Sequence, residues 1–377
     1  MNRNRFLILV AVTLAAAVLV FVLDRSGDSG PRELPATLLP GLEGAVNELA
    51  AIDVVAPGGQ IAVSLRRDEE RWRVTQKDGY EADFAEVLAF LRTLADVGAA
   101  EPKTTNPDWY SHLGVQDVSQ PDATGRRIDF PGREISSVII GQVDPSGEGS
   151  YARRADEAQS WLLDAVVEVP VDPVAWLEPG IMDIPSAEIA EVVIRHADGE
   201  VIRLDRAGDE GGEDTPAFVL RDVPEGREAG GEWKRNAIAN GLRALNLEDV
   251  RRFQPPAPED ATRVLFTTTD GLNFVADLFE TDDAHWVHFT VSAENAVSPE
   301  APADGDETAV EEPAAANGTD AVDETGDEED AENQRLVNAV AVDARLSPWM
   351  FAIPERRYDD LTRRLEDLLE PVEEDDS

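Results

Sequence analysis

The chain has 377 residues, enough for two domains that each bury a sizeable core. Its 77 acidic and 33 basic residues leave a formal charge of −44, a surface that repels the phosphate backbone on which nucleic-acid affinity rests, so no nucleic-acid partner is expected. There is no cysteine, which removes disulfides, thiolate catalysis, cysteine-ligated zinc, iron–sulfur clusters and lipid attachment at a lipobox.

Arg3 and Arg5 precede an uncharged run of eighteen residues, Phe6 to Leu23. As a helix this run spans about 27 Å, close to a hydrocarbon core of about 30 Å. Basic residues stay on the cytoplasmic side, so residues 1–5 are expected inside, 6–23 in the inner membrane and the body outside. Phe21, Val22, Leu23, Asp24 and Arg25 do not provide the small residues of a signal-peptide cleavage site, which favours an uncleaved single-pass anchor. Residues 24–45, rich in Gly, Pro and Ser, read as a spacer without a core.

Beyond the spacer, Ile52 and Val54, then Ile61, Val63 and Leu65, alternate around Pro57-Gly58-Gly59, and Trp72 and Val74 begin a third strand. Asp83 with Glu86 has the form of a capping box. Phe84, Val87, Leu88, Leu91 and Leu94 then recur at helical spacing. Strands follow at Ile128 and Phe130, Val138 to Ile140, Tyr151, and Trp161 to Leu163. The same order returns about 140 residues later. Val192 and Ile194 lead into a turn at Asp198-Gly199, followed by Val201 and Ile202, Phe218 to Leu220, and a helix with Ile238, Leu242 and Leu245. Strands at Val264 to Phe266, Phe274 to Phe279, Trp286 to Phe289 and Val337 to Val342 complete it.

The expected fold class is therefore α+β: an amino-terminal transmembrane helix, then a duplicated unit of antiparallel strand meander plus packed helix, with repeats at 46–183 and 184–370. Residues 294–333 hold fifteen Asp or Glu and no Lys or Arg, which predicts a disordered acidic insertion in the second repeat. Pro354 is placed at a first helical position, with Tyr358, Leu361, Leu365 and Leu368 on one face and Asp359–Arg363 and Asp360–Arg364 pairs on the other. Residues 371–377 form an acidic tail.

Several of these segments resemble the bacterial family called domain of unknown function 4340, over about residues 46–370. The resemblance is carried by Leu49, Ile52 and Val54 before a glycine turn, Arg71-Trp72-Arg73-Val74, Tyr80-Glu81-Ala82-Asp83, Tyr110-Ser111-His112-Leu113-Gly114-Val115, Val138-Ile139-Ile140-Gly141 and Tyr151-Ala152-Arg153-Arg154. It implies an accessory of ABC-type transport systems, encoded beside components resembling the gliding-motility transporter, and it brings no catalytic residues. The long acidic insertion is a departure from the family's pattern.

Individual residues offer little chemistry. His285 and His288 are three apart, which on a strand sends them to opposite faces and makes a metal pair unfavourable. His112 sits beside Tyr110 without a partner to complete a triad. Gly147-Glu148-Gly149 reads as a turn with no following helix to hold a phosphate. The run Asp323 to Glu332 lacks EF-hand spacing, and Asn317-Gly318-Thr319 is a chance sequon. Trp72, Trp109, Trp161, Trp176, Trp233, Trp286 and Trp349 are assigned to core packing. No catalytic, cofactor-binding or metal residue is expected, and the chain reads as a membrane-anchored accessory or interaction protein, not an enzyme. Two alternatives stand beside it: an envelope hydrolase using paired carboxylates, and a solute-binding module with its ligand between the two repeats.

Like charges at this density oppose compaction, and the screening length falls from about 30 Å at 0.01 M to about 3 Å at 1 M salt. The protein is expected to melt at a higher temperature in molar sodium chloride than in dilute buffer. Equal melting temperatures in a calorimetric comparison would show that repulsion is not limiting.

Overall fold

The computed structural model describes residues 36–69, 71–212, 215–293 and 324–371. The anchor at 6–23, the sequon at Asn317, residues 294–323 of the acidic stretch and the tail beyond Pro371 lie outside them. Among the described residues no helix is long and apolar enough to cross a membrane.

The chain is α+β and divides into two compact units. One holds the residues up to 72 together with 84–172, the other 73–83 and the residues from 173 onward. In the first unit the strands are β1 (Ala36–Thr37), β2 (Ala51–Val55), β3 (Ile61–Asp68), β4 (Arg71–Val74, at the boundary), β6 (Gly98–Pro102), β7 (Arg126–Asp129), β8 (Val138–Val143), β9 (Ser150–Arg154) and β10 (Ser160–Leu163). Strand β5 (Tyr80–Glu81) belongs with 73–83. Their lateral order is β1-β6-β10-β9-β8-β7-β2-β3-β4. The pairs from β1 through to β3 run antiparallel.

The second unit holds β11 (Gly180–Met182), β12 (Ile189–Arg195), β13 (Val201–Gly212), β14 (Thr215–Leu220), β15 (Leu245–Asn246), β16 (Asp249–Arg252), β17 (Thr262–Thr268), β18 (Leu272–Thr281), β19 (Ala284–Ala293) and β20 (Trp349–Ala352). Its main sheet has the order β14-β13-β12-β17-β18-β19-β20-β16. Read outward from the meander, both orders place the third, second and first strands beside a later run of four, and then a strand from between the helix and that run. That strand is β6 after the helix Phe84–Asp96, with the two-residue β1 beyond it, and β16 after the helix Glu232–Ala239, with β15 intervening in sequence.

One face of the second sheet forms its core. Val192, Ile194, Val264, Phe266, Ala276, Leu278, Val287, Phe289 and Phe351 are buried, and strand register sets them side by side. The helix Glu232–Ala239 packs on β14 and β12 and buries Ile238 and Ala239. Leu245 lies in β15, not in this helix as its spacing suggested. The chain leaves the helix at Asn240, and Leu242 and Leu245 are buried from the turn and strand beyond it. In the first unit the helix Phe84–Asp96 buries Val87, Phe90, Leu91, Leu94 and Ala95, while Phe84 is exposed and Leu88 only half-buried.

Three further expectations are corrected. The segment read as a spacer contributes to the core: Leu38 and Leu42 are fully buried and Leu39 nearly so, and the Leu38 amide donates to the Val97 carbonyl at 2.9 Å. Val337 to Val342 are helical, within Glu324–Leu346, which also takes in 324–333 of the acidic stretch. The alternation of valines there is incidental, because Val337 and Val340 are exposed while Ala339 and Leu346, seven apart, are buried where the helix packs along β19. Asp343 on that helix accepts from the Val291 amide at 2.8 Å. Lastly, Pro354 caps the helix Glu355–Leu361 from outside, and because this helix ends at Leu361 the two pairs spaced by four do not form. Arg363 instead meets Asp360 at 2.5 Å, and Arg364 meets Asp198 at 2.6 Å.

Three of the short motifs meet in the first unit. Arg153, buried on β9, donates from Nε to the Val115 carbonyl and from Nη1 to the Glu157 carbonyl, and its guanidinium lies 4.7 Å from the Tyr110 ring. The Tyr110 hydroxyl donates to the Ala158 carbonyl at 2.5 Å. The helical turn Tyr110–Leu113 settles onto β8 at Gly141, where an added Cβ would run into the Leu113 carbonyl oxygen and the Val115 side chain. Gly141→Ala is therefore expected to lower stability by about 1–3 kcal/mol, the usual cost of overpacking, and chemical denaturation of the variant measures it.

Candidate functional site

The second unit carries clefts beside its helix Glu355–Leu361. The helix Glu232–Ala239 begins just past Gly230-Gly231 and is amphipathic. Arg235, Ile238 and Ala239 turn inward, and Arg235 Nε donates to the Phe218 carbonyl of β14 at 2.7 Å. Trp233, Ala237 and Asn240 share the other side of the helix, with Trp233 65 % exposed. The helix Glu355–Leu361 packs beside it. Arg357 donates to the Asn240 and Arg243 carbonyls, where a cation satisfies the unpaired acceptors at a helix end. Burial pulls the Arg357 guanidinium below its ordinary value.

Two clefts adjoin there. One, of about 480 Å³, is lined by Asn240, Asn246, Pro354, Arg356, Arg357 and Asp360 among others. The next, of about 650 Å³, is lined by Trp233, Glu355, Arg356, Asp359, Asp360 and Arg363. Asp360 is buried and paired with Arg363, whose guanidinium lies 5.6 Å from the Trp233 ring centroid. Asn240 Oδ1 and Arg363 Nε are shielded from solvent without a hydrogen-bond partner. A third cleft, of about 500 Å³, is lined by Arg251, Arg252, Phe253, Phe279, Asp282 and Met350.

The histidines and the glycine turn considered from sequence line none of these clefts, whereas Trp233, assigned from sequence to the core, lines the second. His285 and His288 lie on β19 as expected. His285 is 3.7 Å from Glu280, and its ring centroid is 4.6 Å from that of Tyr358. His288 is buried, its Nε2 3.0 Å from the Ser347 carbonyl and its ring stacked 3.6 Å from Phe253. His112 is exposed, 5.5 Å from Trp109. Gly147 takes φ +77° in the turn between β8 and β9. In that turn Asp144 accepts from Ser146 and from the Tyr151 hydroxyl, which draws its carboxyl down to about 2. Among the described residues no three His, Asp or Glu side chains are gathered as metal ligands would be. Trp72, Trp176, Trp286 and Trp349 are core residues, but Trp109 and Trp233 are not, being 59 % and 65 % exposed. The one signal for the Trp233 cleft in the sequence was an indole in the first turn of a helix whose apolar face lies elsewhere.

The sequence profile of a family described as a domain of unknown function, DUF4340, matches residues 72–264, just over half of the chain. The chain belongs to that family. The match covers the turn Tyr110–Leu113, Gly141 and Arg153, whose contacts make these DUF4340 motifs structural, and it stops short of the helix Glu355–Leu361 that forms one wall of the clefts. No curated protein and no solved structure matches the chain significantly.

His288 supplies a pH test. Burial is the main cause that lowers its pKa, opposed by the Ser347 carbonyl, Asp277 and Asp343 and assisted by Arg263. Because the folded value lies below the unfolded value of about 6.5, the unfolded chain takes up the proton first. This contribution is complete above that pH and is lost as pH falls toward the folded value. His288→Gln is expected to flatten the stability profile between pH 7 and pH 5, measured by urea midpoints; an unchanged slope would show that His288 does not control it.

Proposed function

We propose that this chain is a membrane-anchored, extracytoplasmic accessory protein without catalysis of its own, associated with an ABC-type transport system. The observation that carries the reading is the uncharged run Phe6 to Leu23 behind Arg3 and Arg5, standing before two sheet units of the same strand order. The run supplies a single-pass tether in the inner membrane, amino terminus inside. The shared order supports a duplicated unit of antiparallel meander plus helix. Transporter association comes from the family resemblance. Exposed indoles, Trp109 in the first unit and Trp233 in the second, fit a protein that works by contact, since aromatic residues are enriched where surfaces meet partners.

The hydrolase alternative calls for a carboxyl held protonated near neutral pH. Among the described residues, the carboxyls with clearly displaced values, Asp117, Asp144, Asp198 and Glu366, are all displaced downward by hydrogen-bond donors. That favours solvated or paired acids. The solute-binding alternative places its ligand between the two repeats, whereas the clefts around Asn240 and Trp233 lie within the second unit alone.

Alkaline phosphatase fused after Gly44 is expected to be active and a cytoplasmic reporter at the same site silent; the reverse pattern would overturn the topology. Crosslinking in membranes followed by affinity purification should recover transporter subunits, and their absence would remove the transport assignment while leaving the tether standing.

A further inference from the structure

The adjoining clefts around Trp233 have a composition that selects for a class of ligand, and we propose that they form a binding site for a neutral saccharide. Trp233 keeps its indole largely in water at the rim, where burial in the core would have been the ordinary outcome for so large an apolar surface. A flat, electron-rich ring face of this kind complements the C–H face of a pyranose. Ala237 and Pro354 leave the floor between the two helices low, and Asn240, Asn246, Arg356 and Asp360 surround it with planar polar groups.

The lining offers hydrogen-bonding groups of both kinds: the Asn246 amide and the Arg356 guanidinium can donate, and the Glu355 and Asp359 carboxylates accept. A sugar hydroxyl is both donor and acceptor, so one type of ligand group pairs with either. The charges point the same way. Arg356, Arg357 and Arg363 face Glu355, Asp359 and Asp360 around the two clefts, three of each sign. Asp360 and Arg363 neutralise one another at 2.5 Å, and Arg357 is spent on the carbonyls of Asn240 and Arg243. An anion would meet three carboxylates and a cation three guanidinium groups. A neutral polyol pairs with both kinds, since carboxylates accept and guanidinium groups donate. At about 480 and 650 Å³, each cleft falls within the range of small-molecule sites. This binding does not depend on the tether or on a transporter.

The test is isothermal titration of the full chain, in a detergent without sugar headgroups, with cellobiose, maltose and N,N′-diacetylchitobiose at millimolar concentration. At least one is expected to bind. Trp233→Ala should weaken that binding about tenfold or more, and Trp233→Phe less, with melting temperatures close to the parent's because the side chain is exposed. Failure of all three sugars to bind the parent overturns the proposal. So does unchanged affinity in Trp233→Ala, or binding of inorganic phosphate or free lysine that is tighter than any of the sugars and is lost in the same variant.

Discussion

Each sheet joins its opening meander to a later run of strands at one seam, β2 with β7 in the first unit and β12 with β17 in the second. On one side of that seam lies a three-strand meander and on the other a run of four, and neither run alone closes a core. Joining them carries the entropy cost of a long loop, which grows only slowly with length, and the chain uses that loop to hold the helix and a strand at or next to the far edge. The seam is apolar on its core face: Val54 lies opposite Ile128, Val192 opposite Phe266, and Ile194 opposite Val264, all fully buried. A slip of one residue would turn these side chains to the other face, so burial fixes register there more firmly than any turn does.

The opposite faces of the two sheets are stabilised differently. In the first unit Asp53 is buried and receives Ser64 Oγ at 2.6 Å and both terminal nitrogens of Arg66 from the neighbouring strand. In the second, Asp277 is buried and receives Arg263 from the strand beside it, through Nε at 2.7 Å and Nη2 at 3.1 Å. Each carboxylate is desolvated on one side only, its partner guanidinium being 44 % or 59 % exposed, so these are forked cross-strand pairs that retain contact with water. They add specificity of pairing to a seam whose energy is hydrophobic.

Sequence patterns disclosed the central strands and little of the edges. Ile52, Val54, Val192 and Ile194 alternate because one face of a central strand must be apolar. In contrast, β6 is Gly-Ala-Ala-Glu-Pro, bordered by the two-residue β1, and β16 is Asp-Val-Arg-Arg, short strands at or next to an edge that bury little and so carry almost no period. Leu38, Leu39 and Leu42 were concealed by the Pro40-Gly41 step among them, which looks like a linker but turns the chain at a Gly41 φ of +89°. The helix Glu324–Leu346 was concealed because, among its described side chains, the buried positions are an alanine and a leucine seven apart, whereas its valines at 337 and 340 are exposed. The cleft was missed for a related reason. Trp233 was assigned to the core by residue type, and the arginines and acids around it are brought together only by two helices more than a hundred residues apart.

The basic residues also explain why so acidic a chain can hold its shape. Thirty of the 33 are arginine, and many of those in the folded units bond to backbone carbonyls where the chain crosses itself. Arg153 holds the Val115 and Glu157 carbonyls, Arg154 that of Leu38, Arg206 that of Ala187, Arg235 those of Phe218 and Gly230, and Arg357 those of Asn240 and Arg243. A guanidinium suits this work because its planar fork reaches several acceptors and its charge persists when half-buried. Arginines used in this way neutralise few surface carboxylates, so the outer surface is more negative than the ratio of acids to bases implies. Salt therefore acts on two populations unequally. Repulsion among exposed carboxylates falls as the screening length shortens, whereas sheltered bonds from arginine to carbonyl lie at contact distance and are barely screened. The interior fasteners keep their strength at the ionic strengths where the surface ceases to oppose compaction.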